Sequence, residues 1–133
     1  MSLASAMSIA LSGLGAATRR LETSAANIAN LSTTGPVAGA DGTSTVYRAL
    51  DVRQTASPDG GVDATVVPRS PGWRLEVRPG DPNADASGRV AAPDVDPTRE
   101  LSELMMARAS YAFSAKVMKA ADDMQKAATD MFV

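Results

Sequence analysis

The chain has 133 residues, a formal net charge of −2, one Trp, two Tyr and two Phe, and neither cysteine nor histidine. That length suits one domain with extended arms, and so few aromatic side chains exclude a large independent core. The missing residue types exclude disulfide staples, Cys/His zinc sites, Ser-His-Asp and Cys-His nucleophiles and a neutral-pH proton shuttle. Scattered Lys and Arg give no nucleic-acid footprint. No run approaches the roughly 20 apolar residues of a bilayer span. Arg19 and Arg20 follow the apolar start, whereas a secretory signal carries its charge in front, so no cleaved signal is expected.

From Leu3 to about Asn30 the pattern is helical. Met7, Leu14, Leu21 and Ile28 recur every seven residues, with Leu3, Ala10, Ala17 and Leu31 between them. This predicts a coiled-coil-like seam with small residues on one side, where helices approach closely. Gly13 and Gly15 weaken such a helix by about 1 kcal/mol each relative to alanine, so a packing or flexibility reason is expected for both. The Gly-Leu-Gly pair follows no strand and lacks a third glycine, which removes a nucleotide loop. Asn27 and Asn30 mark the helix end, either as simple caps or as donors to a neighbouring subunit. Residues 32–45, rich in Ser, Thr, Gly and Ala, read as a loop that is flexible unless a partner orders it.

Between about Val46 and Val90 the period changes to two. Val46–Val52, Val62–Val67 and Trp73–Arg78 alternate, with turn signals at 57–61 and 68–72. The expectation is a small β element of three or four strands with one apolar face. Trp73, Leu75 and Val77 would lie on that face, and Arg74, Glu76 and Arg78 would form a solvated ion-pair ladder on the other. Asp81, Asn83 and Asp85 imitate the start of a calcium loop, but Ala86 and Ala92 stand where its glycine and glutamate belong, so Asx turns are expected.

The stretch from Thr98 onward contains no proline or glycine up to Val133. It predicts a helix of roughly 50 Å, with Thr98 as N-cap and Glu100 and Glu103 in the first turn. Its apolar positions fall into two phases. Leu101, Leu104, Met105, Tyr111, Ala115 and Met118 form the first; Val117, Ala121, Met124, Ala128 and Met131 form the second. Two phases on one helix imply more than one neighbour, and the core of this chain is too small to supply both. The fold class is therefore α+β: long N- and C-terminal helices pairing as a coiled coil, with a small β element inserted. The divisions fall at 1–35, 36–97 and 98–133.

Three stretches carry a family resemblance: Ala10–Leu14 with Asn27–Asn30 and Thr33–Gly35, Pro79–Gly88 with Pro93–Asp96, and Glu100–Leu101 through Tyr111 to Met124. Together they resemble the flagellar basal-body rod proteins, and the Asp-rich stretch points to a proximal rod member. The family usually has asparagines where Asp94 and Asp96 stand, and an asparagine at Ser114. The resemblance implies a structural subunit of the bacterial flagellum, not an enzyme and without cofactor or metal, that transmits torque in motility. It implies a periplasmic basal-body location after export by the flagellar type III system without a cleaved signal peptide. The implied partners are other rod proteins, the rod-to-MS-ring adaptor, the MS ring itself and further copies of the chain, with no nucleic acid and no membrane span. The expected assembly interface comprises Met7, Leu14, Leu21, Asn27, Ile28, Asn30, Leu101, Leu104, Tyr111, Met118, Met124 and Met131. The rival readings are a helical adaptor or export chaperone of a secretion system, and a wall-cleaving enzyme using Asp81 and Asp85.

Overall fold

A computed structural model describes residues 2–37, 39 and 44–131. The element order is α1 (Leu3–Ala29), β1 (Leu50–Ala56), β2 (Val62–Pro68), β3 (Trp73–Val77), β4 (Arg89–Pro93) and α2 (Pro97–Asp130). Two long helices thus enclose a small antiparallel β region, as the α+β expectation has it. Positions 38 and 40–43 of the expected flexible loop, and the last two residues of the expected helix, lie outside the described residues.

The helices run antiparallel, since Arg20 pairs with Glu103 while Gly13 faces Ser114. Their buried residues are mostly small: Ala10, Ala16, Ala17, Thr23, Ser24 and Asn27 on α1, and Glu100, Ala107 and Ala121 on α2. Glu100, Ala107 and Ala121 keep a seven-residue spacing, completed by the half-buried Ser114. The seam expected through Met7, Leu14, Leu21 and Ile28 is therefore displaced onto its small-residue side. Close approach of two backbones excludes large side chains from the contact line and leaves them flanking it. Gly13 has its reason here, because a Cβ would stand 2.7 Å from the Ser114 Oγ.

The α2 start also differs from expectation. Asp96, not Thr98, is the N-cap, its carboxylate accepting from the Thr98 N–H at 2.9 Å, with Pro97 following it. Proline suits the first helical position, where its missing N–H costs nothing. Glu103 falls beyond the first turn, and Glu100 turns inward to an ion pair.

The β region has four strands, within the expected number, arranged as two separate two-stranded sheets, β1–β2 and β3–β4. The physical reason lies at Pro68 and Gly72. Pro68 ends β2 without an N–H, the Arg69 N–H turns to the Ala49 carbonyl at 2.7 Å, and the Gly72 carbonyl accepts from Ala49 and Asp94. No strand can then extend from β2 to β3. β1 begins at Leu50 and not Val46, which is instead buried beneath Gly35. The apolar face expected on β3 is largely uncovered, since Leu75 and Val77 are exposed. Its other face does carry the ladder, with Glu76 between Arg74 and Arg78.

The strand that builds the core is β4, which the sequence pattern conceals. Val90, Ala91, Ala92 and Pro93 are all buried, together with Val95, Val46 and Ala49. Gly35 bridges Ala91 through two backbone bonds of 2.9 Å, so the chain leaving α1 is joined directly to β4. The Asp-rich loop reinforces that joint. Asp81 accepts from the Asn83 N–H at 2.8 Å and from the Thr34 hydroxyl at 3.1 Å, and the Asn83 amide donates to Thr34 in turn. Asp85 closes a second turn through the Ser87 and Arg89 N–H groups. These carboxylates are engaged in Asx turns, as their spacing predicts.

Candidate assembly surface

The base of α2 is anchored by ions. Arg69 donates to Asp51 at 2.8 Å, to Glu100 at 3.1 Å and to the Asp94 carbonyl at 2.8 Å, and Arg99 adds a 3.0 Å bond to Asp51. The hydrogen bond from Arg69 holds the Asp51 carboxyl below the usual carboxylate range, and the same bond raises the Arg69 guanidinium. The adjoining cavity of about 120 Å³ is lined by three arginines and three carboxylates, namely Arg20, Arg69, Arg99, Asp51, Glu100 and Glu103. They satisfy one another and leave no surplus charge for a ligand. This cluster fixes β1–β2 to the helix pair.

Asn27 is the second anchor. It is fully buried, its Nδ2 donates to the Leu50 carbonyl at 2.9 Å, and its Oδ1 accepts from the Leu50 N–H and the Tyr47 hydroxyl. The side chain thus completes the end of β1 as a neighbouring strand would. Burial, with the charge of Glu100 second, raises the Tyr47 hydroxyl. Asn27 is therefore withdrawn from the expected inter-subunit set, because every polar group of its amide that could reach a neighbour is enclosed. Asn30 is half-buried and its Nδ2 donates to the Ala26 carbonyl, which caps α1 from within the chain.

The other expected interface residues divide by exposure. Met7, Leu14, Leu21, Leu104 and Met118 are half-buried beside the seam, whereas Ile28, Leu101, Tyr111, Met124 and Met131 are exposed. Sequence reasoning left Met106, Phe113 and Val117 out of the interface set. At about 100° per residue, Met106, Phe113, Val117, Met124 and Met131 fall within a strip about 40° wide on α2. All five leave between 49% and 83% of their surface exposed. The strip lies about a quarter-turn from the line that faces α1, so the intramolecular pair cannot cover it. The second of the two phases already held Val117, Met124 and Met131, whereas Met106 and Phe113 stood outside both.

Near its middle the strip borders an apolar cleft of about 390 Å³, lined by Phe113, Val117, Ile9, Ala6 and Val62. The β1–β2 turn closes one side. Gly60 and Gly61 adopt φ near +88° there, and the Val62 N–H bonds the Ser12 hydroxyl at 3.1 Å. Beyond Ala121 no described residue of α2 is buried. Among the described residues no helix is long and apolar enough to cross a membrane.

Two helices with a surplus apolar face, held by a small β joint, define a structural assembly protein rather than a site for a small molecule. The family described as "Flagella basal body rod protein" matches residues 7–36, and "Flagellar basal body rod FlgEFG protein C-terminal" matches residues 86–131. Similar relatives are named flagellar basal-body rod protein FlgC. That of Yersinia enterocolitica is 38% identical over 124 residues, covering 89% of each chain. That of Salmonella typhimurium is 36% identical over 93% of each, and that of Aquifex aeolicus 30% identical over 84% of this chain and 83% of the relative. The chain belongs to the flagellar basal-body rod proteins and is a FlgC-like structural subunit. The adaptor reading finds no support in these matches.

Proposed function

We propose that this subunit assembles through the exposed faces of α1 and α2 with further copies of itself, with other flagellar rod proteins, and with the rod-to-MS-ring adaptor and MS ring. Its work is mechanical and not catalytic: it transmits torque within the periplasmic part of the basal body. Export through the flagellar type III system without a cleaved signal peptide accompanies this reading. The interface consists of Ile28, Leu101, Tyr111, Met124 and Met131, joined by Met106, Phe113 and Val117 of the exposed strip, with Met7, Leu14, Leu21, Asn30, Leu104 and Met118 contributing their accessible edges.

The observation that supports this most is the row of large apolar side chains along α2, left in water with no element among the described residues to cover it. An apolar row of that length marks a contact surface. The test introduces Phe113→Asp and Met124→Asp separately. Each should leave the isolated subunit folded, because both side chains are exposed, yet abolish swimming in soft agar and remove the subunit from purified basal bodies. Lys126→Ala, at an exposed pair with Asp122, should change neither. Normal incorporation and swimming of both aspartate variants would remove α2 from the interface.

A further inference from the structure

We propose that α1 carries a hinge over Ser12–Gly15 and that the β1–β2 turn is the latch that keeps it closed. Two glycines within one turn loosen a helix. Packing accounts for Gly13, whose Cβ would crowd the Ser114 Oγ, but a Cβ at Gly15 would meet nothing within 4 Å among the described residues. Gly15 is left with the other reason for a glycine in a helix, backbone freedom. Two carbonyls of the same stretch are shared as well. The Ser12 hydroxyl donates to the Ile9 carbonyl at 2.8 Å, and the Thr18 hydroxyl to the Leu14 carbonyl at 3.0 Å. In a regular helix those oxygens serve the Gly13 and Thr18 N–H groups. Such sharing bends helices, as do Gly/Ser pairs.

The latch sits on this stretch. The Val62 N–H donates to the Ser12 Oγ at 3.1 Å, so one hydroxyl both loosens the helix and receives the hairpin. At the turn, Gly60 and Gly61 hold φ of +87° and +88°. A Cβ on Gly60 would press on Ile9, and one on Gly61 would collide with the Ser12 Oγ. The hairpin's other end is fixed beyond the hinge, where both backbone groups of Leu50 bond the Asn27 amide at 2.9 Å. From Ser12 to Asn27 α1 runs about 22 Å, and the seven residues of β1 cover about the same length. The hairpin thus lies as a splint across Gly13 and Gly15, touching Ile9 before them and Asn27 after them. The leading turns have little else to hold them. Ala10 is the one buried residue among those described before the hinge, against Ala16, Ala17, Thr23, Ser24 and Asn27 after it. The apolar cleft of about 390 Å³ is lined by Ala6 and Ile9 of this segment and by Phe113 and Val117 of α2. Releasing the tip lets Leu3–Ser12 turn about Gly13–Gly15 and widen that cleft. The leading turns then have two settings, latched and released, within the single subunit.

Amide hydrogen exchange, resolved residue by residue on the full-length subunit in solution, tests the hinge. Gly61→Ala drives a Cβ into Ser12 and breaks the latch. The amides of Gly13–Ala17, whose helical acceptors are Ile9–Gly13, should then exchange about tenfold faster than in the natural chain. Met7–Ala10 before them and Arg20–Ile28 after them should stay slower, leaving a local maximum at the glycines. A rate that falls steadily from the N-terminus would show fraying in place of a hinge and overturn the proposal. An unchanged profile would overturn it too. Adding Gly15→Ala, which has room for its Cβ, should level the maximum, and a maximum that persists at full height overturns the proposal. Should Gly61→Ala cost β1 and β2 their own amide protection, Val62→Pro decides by the same profile. It removes the latch donor at the first residue of β2, a position that tolerates proline, and that N–H goes to Ser12.

Discussion

The two ends of α2 are built on opposite principles. At its base Glu100 is 2% exposed and tied to Arg69, Asp96 caps the first turn, and Ala107 is sealed against α1. Beyond Ala121 the helix continues to Asp130 with Met124 in water, and Met131 follows, exposed, at its C-cap. A helix of this length gains most of its stability from packing and little from propensity. The fold is thus secured at one end and open to water at the other. Polar and ionic contacts hold the secured end because alanine-sized residues bury too little apolar area to hold it alone.

Mutations at the secured end test this contrast most severely. Arg69→Met strands the buried Glu100 carboxylate and removes Arg69's own two bonds to Asp51, at 2.8 and 3.3 Å, leaving that of Arg99, so it should cost about 3–5 kcal/mol in urea unfolding of the isolated subunit. Adding Glu100→Gln should recover part of that loss. A cost below about 1 kcal/mol would mean that the ion cluster does not secure the helix base. Asn27→Ala comes next, at roughly 2–3 kcal/mol, because the Leu50 N–H and carbonyl and the Tyr47 hydroxyl lose their buried partner.

Acid sharpens the comparison further. The folded Asp51 carboxyl titrates below its unfolded value because Arg69 hydrogen-bonds it. Its contribution is therefore complete above the unfolded-state pKa of about 4 and is lost as pH falls through the lower folded value. Urea midpoints measured against pH should show that acid loss in the natural chain and a shallower one in Arg69→Met. Identical profiles would assign the acid sensitivity elsewhere. The smallest effect belongs to the open end, where Met131→Ser should shift isolated-subunit stability by no more than about 0.5 kcal/mol. A loss as large as that of Asn27→Ala would show that the last turns are structural in the monomer, ending the contrast.

Much of this was readable from residue order. Both helices, the turn at 57–61, the Asx turns and the Arg74–Glu76–Arg78 ladder follow from local periodicity and turn chemistry. β4 was not readable, because Arg89-Val90-Ala91-Ala92-Pro93 alternates with nothing; a strand buried on both faces has no polar side to reveal its period. The seam was misplaced for a related reason. Hydrophobic counting favours Leu and Met, whereas two backbones in close contact favour Ala10, Ala17 and Ala107. Asn27 was identified as important but given two uses, since an amide that caps a helix and one that borrows a strand's backbone look alike in sequence. The exposed strip needed the third dimension to add Met106 and Phe113 and to show that no described residue covers it.

The Gly35–Ala91 bridge has a mechanical consequence. The segment leaving α1 and the strand leading to α2 run antiparallel across it, so their helix-proximal ends lie at the same end of the joint. A load that drew the helices apart would open its two bonds in succession, whereas a load twisting both helices as one body would hardly strain them. The Thr34–Asp81–Asn83 clasp stands beside that joint and shares the opening load. The subunit is accordingly stiff to rotation and weakest to splaying, and a force-extension trace pulled from α1 and α2 should show rupture first where Gly35 meets Ala91.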